Sequence, residues 1–591
     1  MRRKFFEGIS FGLTLSILIS CFTVNIYAEI ADSEEATLPK VRYYYSDSAN
    51  ANVVMTDNAQ EFSSNMTSSK NVEVVFELDY EAYENDWQDS LSPSSTNTEI
   101  QAALQSQRQA IKEQNMAANQ AFIEENNFSE SSEDYEIVSA KYAPFVQLVF
   151  DTYADYQNYS SQILSLEDDE NLIGINIGVP VEYKPTATRV QGATASYYSI
   201  EDAIADMDAN DSIYDGSGVK IGIIEAGGTI ENDAHSEFSS LNMYCNGATP
   251  FGSDEHAIDV TRILCGSNGV APGVDAVYIY HALNTGWAIQ AMDWLQESGV
   301  NIVNLSLSAE DLYGEYHWSS ALLDYHVRYN RMTIVAAVGN DGLPDLENGG
   351  DHHATNYAMG YNVIAVAASD AENNIWSGSS YGVNSGINSR KPTISAPGVN
   401  IKIGTDELQS GTSLATPMVS GIVAMLMDAN GLLMVHPEAI MASLIVGATK
   451  VNGQGDYWDT DAGAGRVNFT KALEASTNCF SFSYNSNSLG IREARTLSVS
   501  TGKKIKFAAV WLANYQKPEE GDTVPINVHT NYDIRILDPY GVTVAACSGS
   551  TNIEYTSYYN ESYTTLTFQL RQYANRITTD IDMGVMTWVY E

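Results

Sequence analysis

An α/β domain built on a parallel sheet, lying between an α+β domain and an antiparallel β-sandwich, is the architecture this sequence predicts. Three observations carry it. From about residue 196 to 475, apolar strand-like runs alternate with helical stretches, the order that makes a parallel sheet with helices on both faces. Upstream, from about 71 to 184, the order reads β-α-β-β-α-β. Downstream, from about 476 to 591, short runs of alternating polarity are separated by turn residues. A length of 591 residues suits three or four units at roughly 100–200 residues each.

The N-terminus reads as an export signal over residues 1–28. Arg2, Arg3 and Lys4 are followed by a mostly apolar run from Phe11 to Val24 and a small-residue cleavage site at Ala28. Leu18-Ile19-Ser20-Cys21 offers a second reading, a lipid anchor on Cys21. The two imply a secreted, extracellular protein or one anchored at the cell surface. No other stretch is expected to form a stable membrane span. The net charge of −45 excludes a nucleic-acid partner, because phosphate would be repelled.

Residues 29 to about 70 are polar with little periodicity and predict a flexible lead-in. Asn71 to Leu78 predicts a strand. Glu99 to Asn126 predicts a helix, being rich in helix formers with Leu104, Ile111 and Phe122 as apolar points. Tyr135–Tyr142 and Phe145–Asp151 predict a pair of strands around Pro144. A helix over Tyr153–Leu166 and a strand over Asn171–Tyr183 complete a ferredoxin-like split-βαβ pattern. Lys184 to Ser196 predicts a linker open to processing.

In the central region Lys220-Ile221-Gly222-Ile223-Ile224 predicts a buried strand. Further strands are predicted over Val274–Tyr280, Asn301–Leu307, Thr333–Val338, Val363–Ala367 and Thr393–Ser395. Helices over Thr285–Glu297 and Trp318–Arg331 lie between them. Functional groups in such a sheet gather at the carboxyl ends of the strands. In the C-terminal region Asp538-Pro539-Tyr540-Gly541 is a turn, with Pro setting φ and Gly allowing positive φ.

Four strings carry chemistry. Gly411-Thr412-Ser413-Leu414-Ala415-Thr416-Pro417 opens an apolar, small-residue helix. Its unpaired first-turn N–H groups and positive dipole end favour negative charge beside Ser413; Pro417 is expected in the first turn, where proline is tolerated. His256 starts the run to Leu264 and is followed by Gly269-Val270-Ala271-Pro272-Gly273. Glu225 ends the strand in Ile223-Ile224-Glu225-Ala226-Gly227. Asn340 follows the strand in Val335-Ala336-Ala337-Val338-Gly339-Asn340.

Together these strings resemble those of the subtilisin-like serine peptidases. The resemblance implies a serine endopeptidase acting through a Ser-His-acid triad on protein or peptide substrates. Ser413 would be the nucleophile, His256 the base, and Glu225 the group that orients it. Asn340 would donate to the oxyanion. Ser306, Leu307 and Ser308, in a string similar to the family's N-M-S-L-G, would line the substrate cleft. The family's orienting residue is Asp, so the site departs from the pattern at Glu225, whose head reaches roughly 1.5 Å further. The string after His256 also departs, which leaves two alternatives: Asp259 or Asp215 as the acid, or an impaired pseudopeptidase that binds peptides or proteins. By the same resemblance residues 29–195 would be an inhibitory propeptide, the 196–475 region the peptidase, and 476–591 a jelly-roll-like companion.

No metal or other cofactor is implied by these strings, although family members often hold structural calcium. Beyond Cys21 the cysteines are Cys245, Cys265, Cys479 and Cys547. Pairing within each domain, 245 with 265 and 479 with 547, and four reduced thiols are both compatible with the sequence.

Overall fold

The computed structural model describes residues 40–591 apart from 48–51, 80–90, 181–182, 186–187, 191–197, 227–229, 231–237, 247–254, 283–286, 310–312, 344–351, 385–386, 388, 404–406, 485–488, 515–529 and 574–581. The proposed signal, Cys21 and most of the expected linker lie outside the described residues.

The N-terminal domain is one sheet covered by helices. Its core strands are β3 (Val72–Leu78), β4 (Tyr135–Ser139), β5 (Phe145–Phe150) and β6 (Leu172–Gly178), in the order β6-β3-β5-β4. Helices α2 (Asn97–Glu125) and α3 (Tyr153–Leu164) supply the two crossovers. Thr96 and Glu99 form a capping box at the start of α2, which fixes where that helix begins. The lead-in is not featureless. β1 (Val41–Asp47) pairs parallel with β6, β2 (Asn52–Thr56) pairs antiparallel with β1, and α1 (Ala59–Asn65) follows. The added strand buries Tyr44 in the close approach left by Gly178, where a Cβ would sit 2.1 Å from the ring.

The central domain holds seven parallel strands. They are β10 (Lys220–Glu225), β11 (Met243–Cys245), β12 (Ala276–His281), β13 (Ile302–Leu305), β15 (Thr333–Ala337), β16 (Ile364–Ser369) and β17 (Ile394–Pro397). The order β11-β12-β10-β13-β15-β16-β17 changes direction at β10, so the crevice of the sheet opens beside Glu225. Short β14 (Leu307–Ala309) continues from β13 away from the sheet. Helices α5 (Glu255–Cys265) and α8 (Thr412–Ala429) pack on one face with Ile221, Ile223, Val277 and Ile279. Helices α6 (Trp287–Glu297) and α7 (Trp318–Arg328) pack on the other with Val303 and Leu305. By length and composition α8 could cross a membrane, contrary to the expectation of no such stretch after the signal, but its residues 412–427 are all buried in this core.

The C-terminal domain is two antiparallel four-stranded sheets face to face, β20-β27-β22-β25 and β21-β26-β23-β24. Phe507, Trp511, Ile534, Phe568 and Leu570 fill the space between them. Here β20 is Phe480–Tyr484, β21 Gly490–Ser498, β22 Lys503–Trp511 and β23 Tyr532–Leu537. The remaining strands are β24 (Thr543–Cys547), β25 (Ile553–Asn560), β26 (Thr565–Gln572) and β27 (Asp582–Tyr590). The domain is fastened to the central one by backbone recognition. Asn362 donates to the Ala513 carbonyl at 3.0 Å and accepts the Ala513 N–H at 2.7 Å, and Arg328 donates to the Leu512 carbonyl.

The N-terminal sheet lies on α6 and α7. Arg108 is fully buried and donates to the carbonyls of Val300 and Asn330, just past the ends of those helices, where the dipole favours a cation. Asp293 on α6 accepts the backbone N–H groups of Lys141 and Tyr142, and burial pushes its carboxyl up to about 7. Neither cysteine pairing is formed: Cys265, Cys479 and Cys547 are reduced, and the Cys245 thiol donates to the Ile230 carbonyl. Removing the Asp293 acceptor leaves two N–H groups orphaned, at about 1–3 kcal/mol each. At pH 8, Asp293→Ala is therefore expected to raise deuterium exchange at the Lys141 and Tyr142 amides by at least tenfold and leave β15 unchanged; unaltered protection at 141–142 would contradict the contact.

Candidate active site

Each functional group sits where a parallel strand ends or a helix begins. Glu225 is the last residue of β10 and is fully buried. His256 is the second residue of α5 and also buried. Their side chains meet: His256 Nδ1 lies 2.8 Å from Glu225 Oε2. A carboxylate taken out of water needs a charge-assisted partner, and the imidazole N–H provides one. The extra methylene of Glu is thus accommodated within hydrogen-bonding distance. Asp259 is engaged elsewhere, by Arg262 at 2.7 Å and by Gln409 Nε2 at 2.6 Å. Asp215 is exposed to solvent and caps its own turn through the Ser217 N–H and hydroxyl.

Ser413 is the second residue of α8 and is buried. Pro417 is not in the first turn as expected but is the sixth residue of α8. The reason lies in the hydrogen bonds. Proline has no N–H for the carbonyl four residues earlier, which is that of Ser413. The Ser306 hydroxyl takes that place and donates to the Ser413 carbonyl at 2.9 Å. Ser306 is held in turn by the Asn304 amide, whose oxygen accepts from Ser420. Ser306, expected in the wall of a cleft, therefore directs its hydroxyl inward to support Ser413. This role depends on a contact between β13 and α8 that no local string announces.

Asn340 follows β15 and remains partly exposed. Its Oδ1 accepts the Thr412 N–H at 2.9 Å and the Thr412 hydroxyl at 3.0 Å. A backbone N–H can only donate, so the oxygen of the side-chain amide is identified and its NH₂ faces the other way. Gly339 makes the turn possible: its φ is +114°, and a Cβ there would lie 2.8 Å from Ser380 Oγ. Leu307 and Ser308 fall on the short strand β14, whose edge is occupied. β7 (Tyr183–Pro185) runs antiparallel to it, with Leu307 opposite Pro185 and Ser308 opposite Lys184. Five residues further on, β8 (Thr188–Val190) pairs with β19 (Glu407–Ser410), the strand that leads into Ser413. Among the described residues no group of three or more His, Cys, Asp or Glu is arranged to hold a metal ion.

The family model described as the subtilase family, Peptidase_S8, matches residues 208–465. Subtilisin BL of Lederbergia lenta is 30% identical over 234 residues, which cover 36% of this chain and 78% of that protein. The chain belongs to the subtilase family. Thermitase of Thermoactinomyces vulgaris is 29% identical over 282 residues, 44% of this chain and 91% of the relative. A subtilisin-like protease of Arabidopsis thaliana is 26% identical over 285 residues, but these are only 26% of its own length. Fervidolysin from Fervidobacterium pennivorans is similar over 90% of this chain and 79% of its own, at 15% identity and a TM-score of 0.45. This subtilase is a serine endopeptidase with the mixed α/β, parallel-sheet architecture.

The geometry separates the two candidate acids on α5 and β10. Asp259→Asn is expected to leave the rate of Ser413 labelling by a fluorophosphonate within about twofold of the parent. Glu225→Ala is expected to slow it by on the order of 10⁴, the usual loss when a triad acid is removed. The reverse pattern would assign the acid to Asp259.

Proposed function

We propose that this subtilase is an exported endopeptidase made as a zymogen, with Glu225, His256 and Ser413 as its triad. The observation that carries the reading is the 2.8 Å bond between a strand-end carboxylate and a helix-start imidazole. Glu225 accepts Nδ1–H, so Nε2 keeps its lone pair for the Ser413 proton. Ser413 attacks the peptide carbonyl as that proton leaves. The developing oxyanion is met by the Asn340 NH₂ and the Ser413 backbone N–H. Losing one such donor costs roughly 2.7–4 kcal/mol. The imidazolium, stabilised by Glu225, then protonates the leaving amine, and water resolves the acyl-enzyme. No cofactor enters this scheme. Substrate binds by adding a strand to β14, at Leu307 and Ser308.

The N-terminal domain is the propeptide in this reading, and the 1–28 segment directs export to the extracellular side. The pairing of β7 with β14 supports it, because the edge meant for substrate is filled by the chain itself. Since β7 lies on the substrate edge and β8 on the strand entering Ser413, the bond to be cut lies between Pro185 and Thr188. The pseudopeptidase alternative predicts no labelling of Ser413 at all.

Mass spectrometry of the purified protein is expected to find a mature N-terminus at residue 186, 187 or 188. Ser413→Ala is expected to accumulate with residues 29–195 still attached. A parent protein that stays intact and unlabelled would favour the pseudopeptidase, and a cut elsewhere would overturn the path drawn through the site.

A further inference from the structure

The acid of this site is longer by one methylene than the Asp of the family, and something must hold its reach. We propose that His281 is the positioning residue for Glu225, acting through the backbone of the turn that carries it. The inference rests on Glu225 being the triad acid.

β10 and β12 are parallel neighbours in register, with Glu225 opposite His281. Registered partners in a ladder project to the same face. That face is defined by the rows below them, Ile221 and Ile223 on β10 and Val277 and Ile279 on β12, all packed under α5 and α8. Both strands thus end with a polar side chain on the His256 side of the sheet, and both side chains are buried. The imidazole is directed to the turn. His281 Nε2 lies 3.1 Å from the carbonyl of Ala226, the residue after Glu225. A carbonyl only accepts, so Nε2 carries the proton. One residue further along, the Ala282 N–H donates to the Glu225 carbonyl at 2.8 Å. The end of β12 therefore holds two successive carbonyls, Glu225 and Ala226, one by a backbone donor and one by an imidazole.

The end of β12 is itself anchored. The His281 N–H donates to Asn246 Oδ1 at 2.6 Å, and the Asn246 N–H donates to the Ile279 carbonyl at 3.0 Å. The imidazole consequently acts from a fixed base. A glutamate has one more rotatable bond than an aspartate, so its carboxylate sweeps a wider arc for any wobble of its Cα. Fixing the carbonyls of Glu225 and Ala226, which flank the Ala226 Cα, restrains the backbone that leaves Glu225 and so confines that arc to the position 2.8 Å from His256 Nδ1. The sequence string Tyr280-His281-Ala282 gives no sign of this role, since a histidine at a strand end is unremarkable without the register.

The test is a double-mutant cycle on the full-length chain. Variants are matured in trans with a trace of tagged parent enzyme, which is then withdrawn, and hydrolysis of a chromogenic peptide is followed. His281→Leu is expected to lower kcat by ten- to a hundredfold with KM within twofold. In a Glu225→Ala background it is expected to cost less than twofold more. His281→Gln, which puts an amide N–H where Nε2 stands, is expected to recover most of the activity; His281→Asn, which puts one where Nδ1 stands, is not. Equal losses from His281→Leu in both backgrounds would overturn the proposal and leave the triad intact. Should His281→Leu fail to accumulate, the Gln and Asn variants decide, and equal near-parent activity of the two would overturn it. Glu225→Ala with near-parent kcat would instead overturn the reading of the acid itself.

Discussion

A single buried hydrogen bond organises the site: a carboxylate at the end of β10 lies within 2.8 Å of an imidazole nitrogen at the start of α5. Glu225 is fully buried and His256 nearly so. Removing the imidazole leaves the buried carboxylate without this donor, and removing the carboxylate orphans a buried N–H, at about 1–3 kcal/mol or more. The parallel sheet sets the carboxylate, the packing of α5 on Ile221 and Ile223 sets the imidazole, and α8 beside it sets the hydroxyl. Glu225 and His256 lie on different segments, so their approach is a property of the core and not of any one loop.

The same core explains how Ser413 is held. Pro417 costs α8 one internal hydrogen bond, and that loss frees the Ser413 carbonyl for the Ser306 hydroxyl. A chain of buried polar groups, Ser420 to Asn304 to Ser306 to Ser413, then ties α8 to β13. Such fully connected networks fix a unique geometry where apolar packing alone permits sliding. Asn340 is held likewise, since Thr412 engages its side-chain oxygen and so aims its NH₂ away from Thr412.

Much of this was legible in the sequence where the signal is local. A strand that ends in Glu225, a helix that opens on His256, the Gly-Asn turn at Asn340 and the small-residue helix after Ser413 are each written in a few consecutive residues. The sheet of the N-terminal domain was legible for the same reason, from apolar runs and helix formers. What escaped depends on distant contacts. Val41 to Asp47 is rich in tyrosine without alternation, and it becomes a strand only because β6 offers an edge. The inward turn of Ser306 requires knowing that Pro417 leaves the Ser413 carbonyl open to it. That Asp259 is engaged away from His256 depends on Arg262 and Gln409, the second of which is 150 residues away in the chain. The thiols carry no spacing signal, and the structure leaves Cys265, Cys479 and Cys547 reduced.

The most direct measurement of the central interaction is proton NMR of the matured protein with histidine labelled at the ring nitrogens. The account predicts one imidazole Nδ1–H resonance well downfield of the amides, slow to exchange with water, assigned to His256 and abolished by Glu225→Ala. A spectrum in which the His256 Nδ1 proton exchanges freely, or is indifferent to Glu225, would contradict it.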